Sequence, residues 1–176
     1  MMRSINVVKI MMFTVALSIV VVTSGVNAEE QKKVSRDDVV KMLSKTRDLS
    51  GMDLRGLDLS GIDMRNAILR DVRFDDSNLS GANLSNADLT NARFCPTNLT
   101  GANLGGADLR GAIMPYSTLA GADLRGAIFV DMKNLLGVDF TGANLAGADF
   151  TGANMEGVKN LDKALNADKA KGLILK

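Results

Sequence analysis

The sequence predicts a solenoid, a chain wound around one apolar axis, and three observations lead there. A large apolar residue recurs every five positions from Leu49 to Phe129 and, after a slip of one, from Leu135 to Met155. The residue two before these centres is Ala in 12 of the 22 units, as at Ala82, Ala102 and Ala122. The residue two after is Gly, Asn or Asp everywhere except Pro96 and Tyr116. Gly, Asn and Asp best tolerate the positive φ that a tight turn demands. Five residues turn an α-helix by about 500°, so on a helix the centres would smear around the cylinder. In an unbroken strand, an odd period would send each centre to the opposite face from the last. A chain that turns a corner within every unit keeps all centres facing one axis.

Taken in order, the first element is an address. Residues 1–28 have the layout of a secretory signal: Arg3 and Lys9 form a positive start, Ile10–Val22 an apolar run, and Val26 and Ala28 the small residues before a cut. Cleavage is expected between Ala28 and Glu29. The alternative is an uncleaved anchor, but thirteen residues of helix span only about 20 Å of a hydrocarbon core of roughly 30 Å. With the signal removed, no stable membrane anchor is expected. The reading places the mature protein outside the cytosol: in the periplasm, outside the cell, or in a lumen if the source is photosynthetic.

Residues 29–47 form a linker and a capping helix. Ser35 is placed to cap that helix with Asp38 three residues later, and Val39, Met42 and Leu43 share one face. The repeats occupy 48–158. The last segment, 159–176, is expected to be a second capping helix and a tail, with Leu161, Ala164 and Leu165 on one face, Gly172 as a stop, and Leu173 and Leu175 packing back. Frayed tails are the alternative to caps at both ends.

The repeated A-[D/N]-L-x-x pattern, clear in AGADLRGA (Ala120–Ala127), resembles the pentapeptide repeat proteins. What the resemblance implies is an all-β solenoid, a right-handed quadrilateral β-helix with four units and twenty residues to a coil. At a strand spacing of about 4.8 Å such a rod would stand about 26 Å tall.

Composition excludes more than it suggests. The chain of 176 residues has no His and one Cys. Ser-His-Asp and Cys-His nucleophilic systems are therefore absent, nearly all zinc sites are ruled out, and no intrachain disulfide can form. Its 21 Lys and Arg balance 20 Asp and Glu, so no global field draws nucleic acid, and no nucleic-acid partner, metal or cofactor is expected. The stacked pair Asp88 and Asp108 could shift each other's pKa upward, but an open solvated face is a poor catalytic setting. Some relatives implied by the resemblance are acidic, DNA-shaped rods that bind type II topoisomerases. The repeats carry 14 acidic residues against eight basic ones, which keeps that alternative open, although it would need a cytosolic pool.

Twenty-residue stacking sorts the outward residues into four faces. Three carry interspersed polar residues, including the ladder Asp63, Asn83, Asn103, Asp123 and Asn144, assigned to hydrogen bonding along the strand edges. The fourth collects Arg73, Arg93, Cys95, Pro96, Ile113, Pro115, Tyr116 and Leu136. It is the candidate interaction face, for a second copy or an unidentified protein partner. A local bulge that tucks Pro96 and Tyr116 away is the competing reading. Cys95 is either exposed and able to pair between chains or partly shielded and inert. The function expected is that of an exported, non-catalytic scaffold or protein-interaction module.

Overall fold

The computed structural model describes residues 34–132 and 134–173. The expected signal and its cut at Ala28 and Glu29 lie outside these residues, as does Leu175. The solenoid is built from isolated parallel bridges rather than long strands, because each unit gives only one or two extended residues before the next corner. Four columns of bridges run along it: Asp48–Ile68–Asp88–Asp108–Ile128–Asp149–Lys171, Asp53–Arg73–Arg93–Ile113, Asp58–Asn78–Asn98–Thr118–Asp139–Lys159, and Asp63–Asn83–Asn103–Asp123–Asn144–Leu165. Partners stand twenty residues apart until the inserted residue after Phe129 shifts the register to 21, as in Thr118 with Asp139. Three columns carry on past the insertion, while among the described residues the bridges of the Asp53 column end at Ile113; at its corner Tyr116 still donates its N–H to Leu136 O at 2.8 Å and Gly137 to Gly157 O at 2.9 Å.

Three backbone hydrogen bonds per unit explain why the coils stack, one of them donated by the corner residue, as Gly56 N–H does to Asp75 O at 3.0 Å. A centre donates its N–H to the next coil, as Leu54 does to Arg73 O at 2.9 Å, and the residue before it donates backwards, as Arg73 does to Met52 O at 2.9 Å. At every corner but that of Pro96 the residue two after the centre takes positive φ, from Gly51 through Gly157, with Asn66, Asp71, Asp76, Asn86, Asn91, Tyr116 and Asp131 in the same conformation. The centres and their small partners are buried in one continuous core. Phe74 stacks on Phe94 with centroids 5.3 Å apart, and Phe129 on Phe150 at 4.5 Å.

Helix α1 (Arg36–Lys45) carries the capping box the sequence predicts: Ser35 accepts from Asp38 N–H, and the Asp38 carboxylate accepts from Ser35 N–H at 3.1 Å. It buries Val39 and Leu43 in the solenoid core, and Arg36 donates to the carbonyls of Asp58 and Ser60. The other end corrects the sequence reading. Among the described residues 159–173 there is no α-helix. Two 3-10 turns, Leu161–Lys163 and Ala167–Lys169, alternate with bridges at Lys159, Leu165 and Lys171, so the chain winds on in six-residue units. Asn160 and Asn166 take the left-handed corner, and the extra residue in each unit goes into the short 3-10 turn. Leu161 and Ala164 pack against the core as in a coil, while Leu165 points outward at 56% exposure.

Candidate interaction face

On the three regular faces the outward polar residue has a defined task. Before every centre but those following Ile68, Thr118 and Ile128, an Asp or Asn folds its side chain over the corner and accepts from the backbone N–H two residues on: Ser50 to Asp48 at 2.9 Å, Ser85 to Asn83 at 3.1 Å, Thr141 to Asp139 at 3.0 Å. The ladder assigned to strand-edge bonding does this too, with Asp63, Asn83, Asn103, Asp123 and Asn144 accepting from residues 65, 85, 105, 125 and 146. Its bonds therefore hold turns within one unit, and at Asn144 the same side chain also accepts from Asn166 Nδ2 of the next coil at 3.0 Å.

Where Arg follows the centre after an Asp it grips the same carboxylate, as Arg65 Nη2 does Asp63 Oδ2 at 2.8 Å, while Arg70, with Ile68 before its centre, reaches Asp88 instead. The guanidinium and backbone N–H of Arg65 hold the Asp63 carboxyl down at about 2. Asp88 pushes the Asp108 carboxyl up, but this is outweighed. Burial pushes Asp88 up, but hydrogen bonds from Thr90 and Arg70 outweigh it, and Arg110 holds Asp108 below the usual range. Solvent screens such exposed pairs, and they contribute little to stability.

The fourth face breaks the rule. Arg73, Arg93 and Ile113 stand where the acceptor belongs, bridged to one another in consecutive coils. The stranded donors are dealt with differently. Asp75, buried just after Phe74, reaches up one coil and accepts from Cys95 N–H at 3.1 Å, while Pro115 has no N–H to satisfy. The other oxygen of Asp75 lies 3.5 Å from Nε of both Arg73 and Arg93. Cys95 is half-buried, its Sγ 3.5 Å from Ile113 O; burial and the Asp75 carboxylate push the thiol up, away from the reactive thiolate.

Pro96 and Tyr116 are not tucked away by a bulge. Tyr116 takes φ +60°, like the glycines of the other corners, and stands 64% exposed with its ring over Gly137. Pro96 is exposed and follows a cis Cys95–Pro96 bond, and its carbonyl still accepts from Asp76 N–H at 2.7 Å. Inside this corner, small apolar residues give way to buried hydroxyls: Ser77, Thr97 and Ser117. Ser117 accepts from Thr97 N–H at 3.0 Å and donates to Phe94 O, relaying the turn bond that a regular corner makes directly, as Ala82 N–H does to Leu79 O.

The structure thus brings Arg73, Arg93, Cys95, Pro96, Ile113, Pro115 and Tyr116 together on adjacent coils, with Leu136 one coil further and 45% exposed. Ile113 and Pro115 are half-buried rather than fully outward. Beside Tyr116 an open groove of about 360 Å³ is lined by Asp76, Ser77, Pro96, Thr97, Asn98 and Thr118. Sequence reasoning passed over Asp75 and the three hydroxyls. Asp75 had a signal: it is the Asp that follows a centre instead of preceding one.

A family model for pentapeptide repeats, in eight copies, matches residues 48–131 and 133–159. The chain belongs to the pentapeptide repeat family. Membership makes the solenoid a right-handed β-helix. A pentapeptide repeat protein from the thylakoid lumen of Arabidopsis thaliana is 32% identical over 62% of this chain and 68% of its own, with a TM-score of 0.42. Rfr23, a member from the cyanobacterium Cyanothece 51142, is 24% identical over 77% of this chain and 97% of its own, also at 0.42. QnrB1, a plasmid-mediated fluoroquinolone resistance protein, is 18% identical over 63% and 78%, at 0.35. A search of curated sequences returns no match. Among the described residues no helix is long and apolar enough to cross a membrane.

Proposed function

We propose that the mature chain is an exported, non-catalytic scaffold that binds another protein through the fourth face. The observation that carries this reading is the loss of the Asp or Asn position in three consecutive coils of the fourth face, at Arg73, Arg93 and Ile113, where the other faces lose it only singly, at Ile68, Thr118 and Ile128, with Tyr116 and Leu136 exposed beside it. Arg and Tyr are the anchors protein interfaces favour, and a contiguous apolar strip on an otherwise polar rod is a contact surface. Export rests on the layout of residues 1–28. Against catalysis stands the state of the carboxylates: those of the regular faces are held by backbone N–H groups, hydroxyls and guanidiniums, with no pKa raised among those that shift. The DNA-mimic alternative is weakened because Arg55, Arg65, Arg110 and Arg125 each neutralise an Asp on the rod's own surface.

The test is a pull-down from the exported fraction, with the Ile113→Asp/Tyr116→Asp double variant as control and light scattering to detect self-association. A partner or dimer lost in the variant supports the reading. An unchanged partner set and mass would sink it, and a full-length cytosolic product would sink export.

A further inference from the structure

Arg73 and Arg93 are bridged neighbours on consecutive coils, so their like charges leave the backbone about one strand spacing, ~4.8 Å, apart. One carboxylate lies between them, on the inner side: the Asp75 side chain is 8% exposed, and its Oδ2 faces both Nε atoms at 3.5 Å. All three of these atoms are buried without a hydrogen bond. The two guanidiniums keep their outer edges in solvent, with side chains 42% and 44% exposed. The other repeat arginines are arranged differently: Arg55, Arg65, Arg110 and Arg125 each close on their own Asp, and Arg70 on Asp88. Of the carboxylates nearby, Asp53 is held by Arg55, and Asp76 is exposed around the corner, in the groove beside Tyr116. Among the described residues no ion pair joins Asp76 to either arginine. Two positive charges thus share one internal negative charge. Next along the face the column turns apolar with Ile113.

We propose that this site receives a protein segment that lays an acidic side chain across Arg73 and Arg93 and an apolar side chain against Ile113 and Tyr116. The proposal rests on the fourth face being the interaction face and adds the chemistry of its partner. A carboxylate takes parallel N–H donors from a guanidinium, and one bridging both arginines would neutralise the charge that Asp75 leaves over. The apolar flank selects a peptide over an inorganic anion, which has nothing to place on Ile113 and Tyr116.

The probe is acetyl-Gly-Glu-Leu-Leu-amide, titrated into the labelled chain while the Nε–H resonances of Arg73 and Arg93 are followed by NMR. Both resonances are expected to shift saturably, with the Gln counterpart binding at least about fivefold more weakly. Asp75→Asn keeps an oxygen for Cys95 N–H and removes the internal charge, so it should tighten peptide binding severalfold. A purely structural cluster would lose stability and gain no affinity. Arg65→Gln, on another face, should leave binding unchanged. The proposal is overturned by no saturable shift up to roughly 10 mM peptide, a range that covers the weakest specific contacts, by equal binding of the Glu and Gln peptides, or by inorganic phosphate binding more tightly than the peptide. If Arg73→Gln/Arg93→Gln keeps a pulled-down partner that Ile113→Asp/Tyr116→Asp loses, this inference fails while the interaction face stands.

Discussion

The regular faces and the fourth face are made by the same five-residue unit, yet they solve the corner in opposite ways. On a regular face most units close their own corner: an Asp or Asn accepts from its own turn N–H, a Gly, Asn or Asp takes the left-handed corner, and bonds to the next coil, such as Asn78 to Asp58, are added to that turn rather than replacing it. On the fourth face the units depend on their neighbours. Asp75 serves Cys95 in the next coil, Ser117 reaches back to the Pro96 corner, and the Tyr116 ring rests on Gly137. Self-contained turns leave a mostly polar surface, broken singly at Ile68 and Ile128. Borrowed ones free the outward positions for arginine, isoleucine and tyrosine. A repeat can therefore acquire a binding surface without leaving its fold, provided the displaced hydrogen bonds are re-made from an adjacent coil.

The largest expected effect breaks the comparison from inside. Phe94→Ala removes the ring stacked on Phe74 and should cost about 3–5 kcal/mol, measured by urea unfolding. It should also loosen Arg93 and Cys95, which flank it. Next come the corners. Gly81→Ala meets nothing within 4 Å, so its cost is the left-handed backbone alone, about 1–2 kcal/mol. Gly137→Ala should cost clearly more, because the new Cβ would fall 2.6 Å from the Tyr116 ring. Gly137→Ala in a Tyr116→Gly background should fall back to the Gly81 value.

A smaller effect separates borrowed from self-contained bonds. Ser117→Ala strips a buried relay from Thr97 N–H and Phe94 O and should cost about 1–3 kcal/mol. Ser85→Ala, on a regular face, leaves the Asn83 turn bond in place and should stay within about 0.5 kcal/mol. Equal costs would erase the distinction.

The smallest effect is pH dependence. The Asp63 carboxyl sits at about 2, below its ordinary 3.8, so its contribution is present above that value and is lost as pH falls from about 4 towards 2. Asp63→Asn keeps the acceptor for Arg65 N–H but cannot titrate. Its urea midpoint should therefore fall less between pH 5 and pH 3 than that of the parent chain.

Much of this was legible in the residues. The period of five, the small inward position, the corner glycines and the slip after Phe129 all reappear as bridges, buried side chains and positive φ angles. The capping box at Ser35 and Asp38 was also readable, because it depends on residues three apart. The C-terminal segment was misread because Leu161, Ala164 and Leu165 fit a helical face as well as they fit a six-residue coil. Periodicity over so short a stretch cannot separate the two, and the open edge of the preceding coil, with its unpaired backbone groups, decided for the coil.

The grouping of Arg73, Arg93, Cys95, Pro96, Ile113, Pro115 and Tyr116 followed from counting in twenties. The role of Asp75 and the Ser77–Thr97–Ser117 hydroxyls did not, since each bonds across a coil or inside a corner. By itself, then, the sequence determined the architecture: a strict local period leaves the backbone one way to bury its apolar centres. Only the tertiary structure decided how the irregular face is held together. Its hydrogen bonds join residues about twenty positions apart, and no local pattern records which neighbour will supply a missing partner.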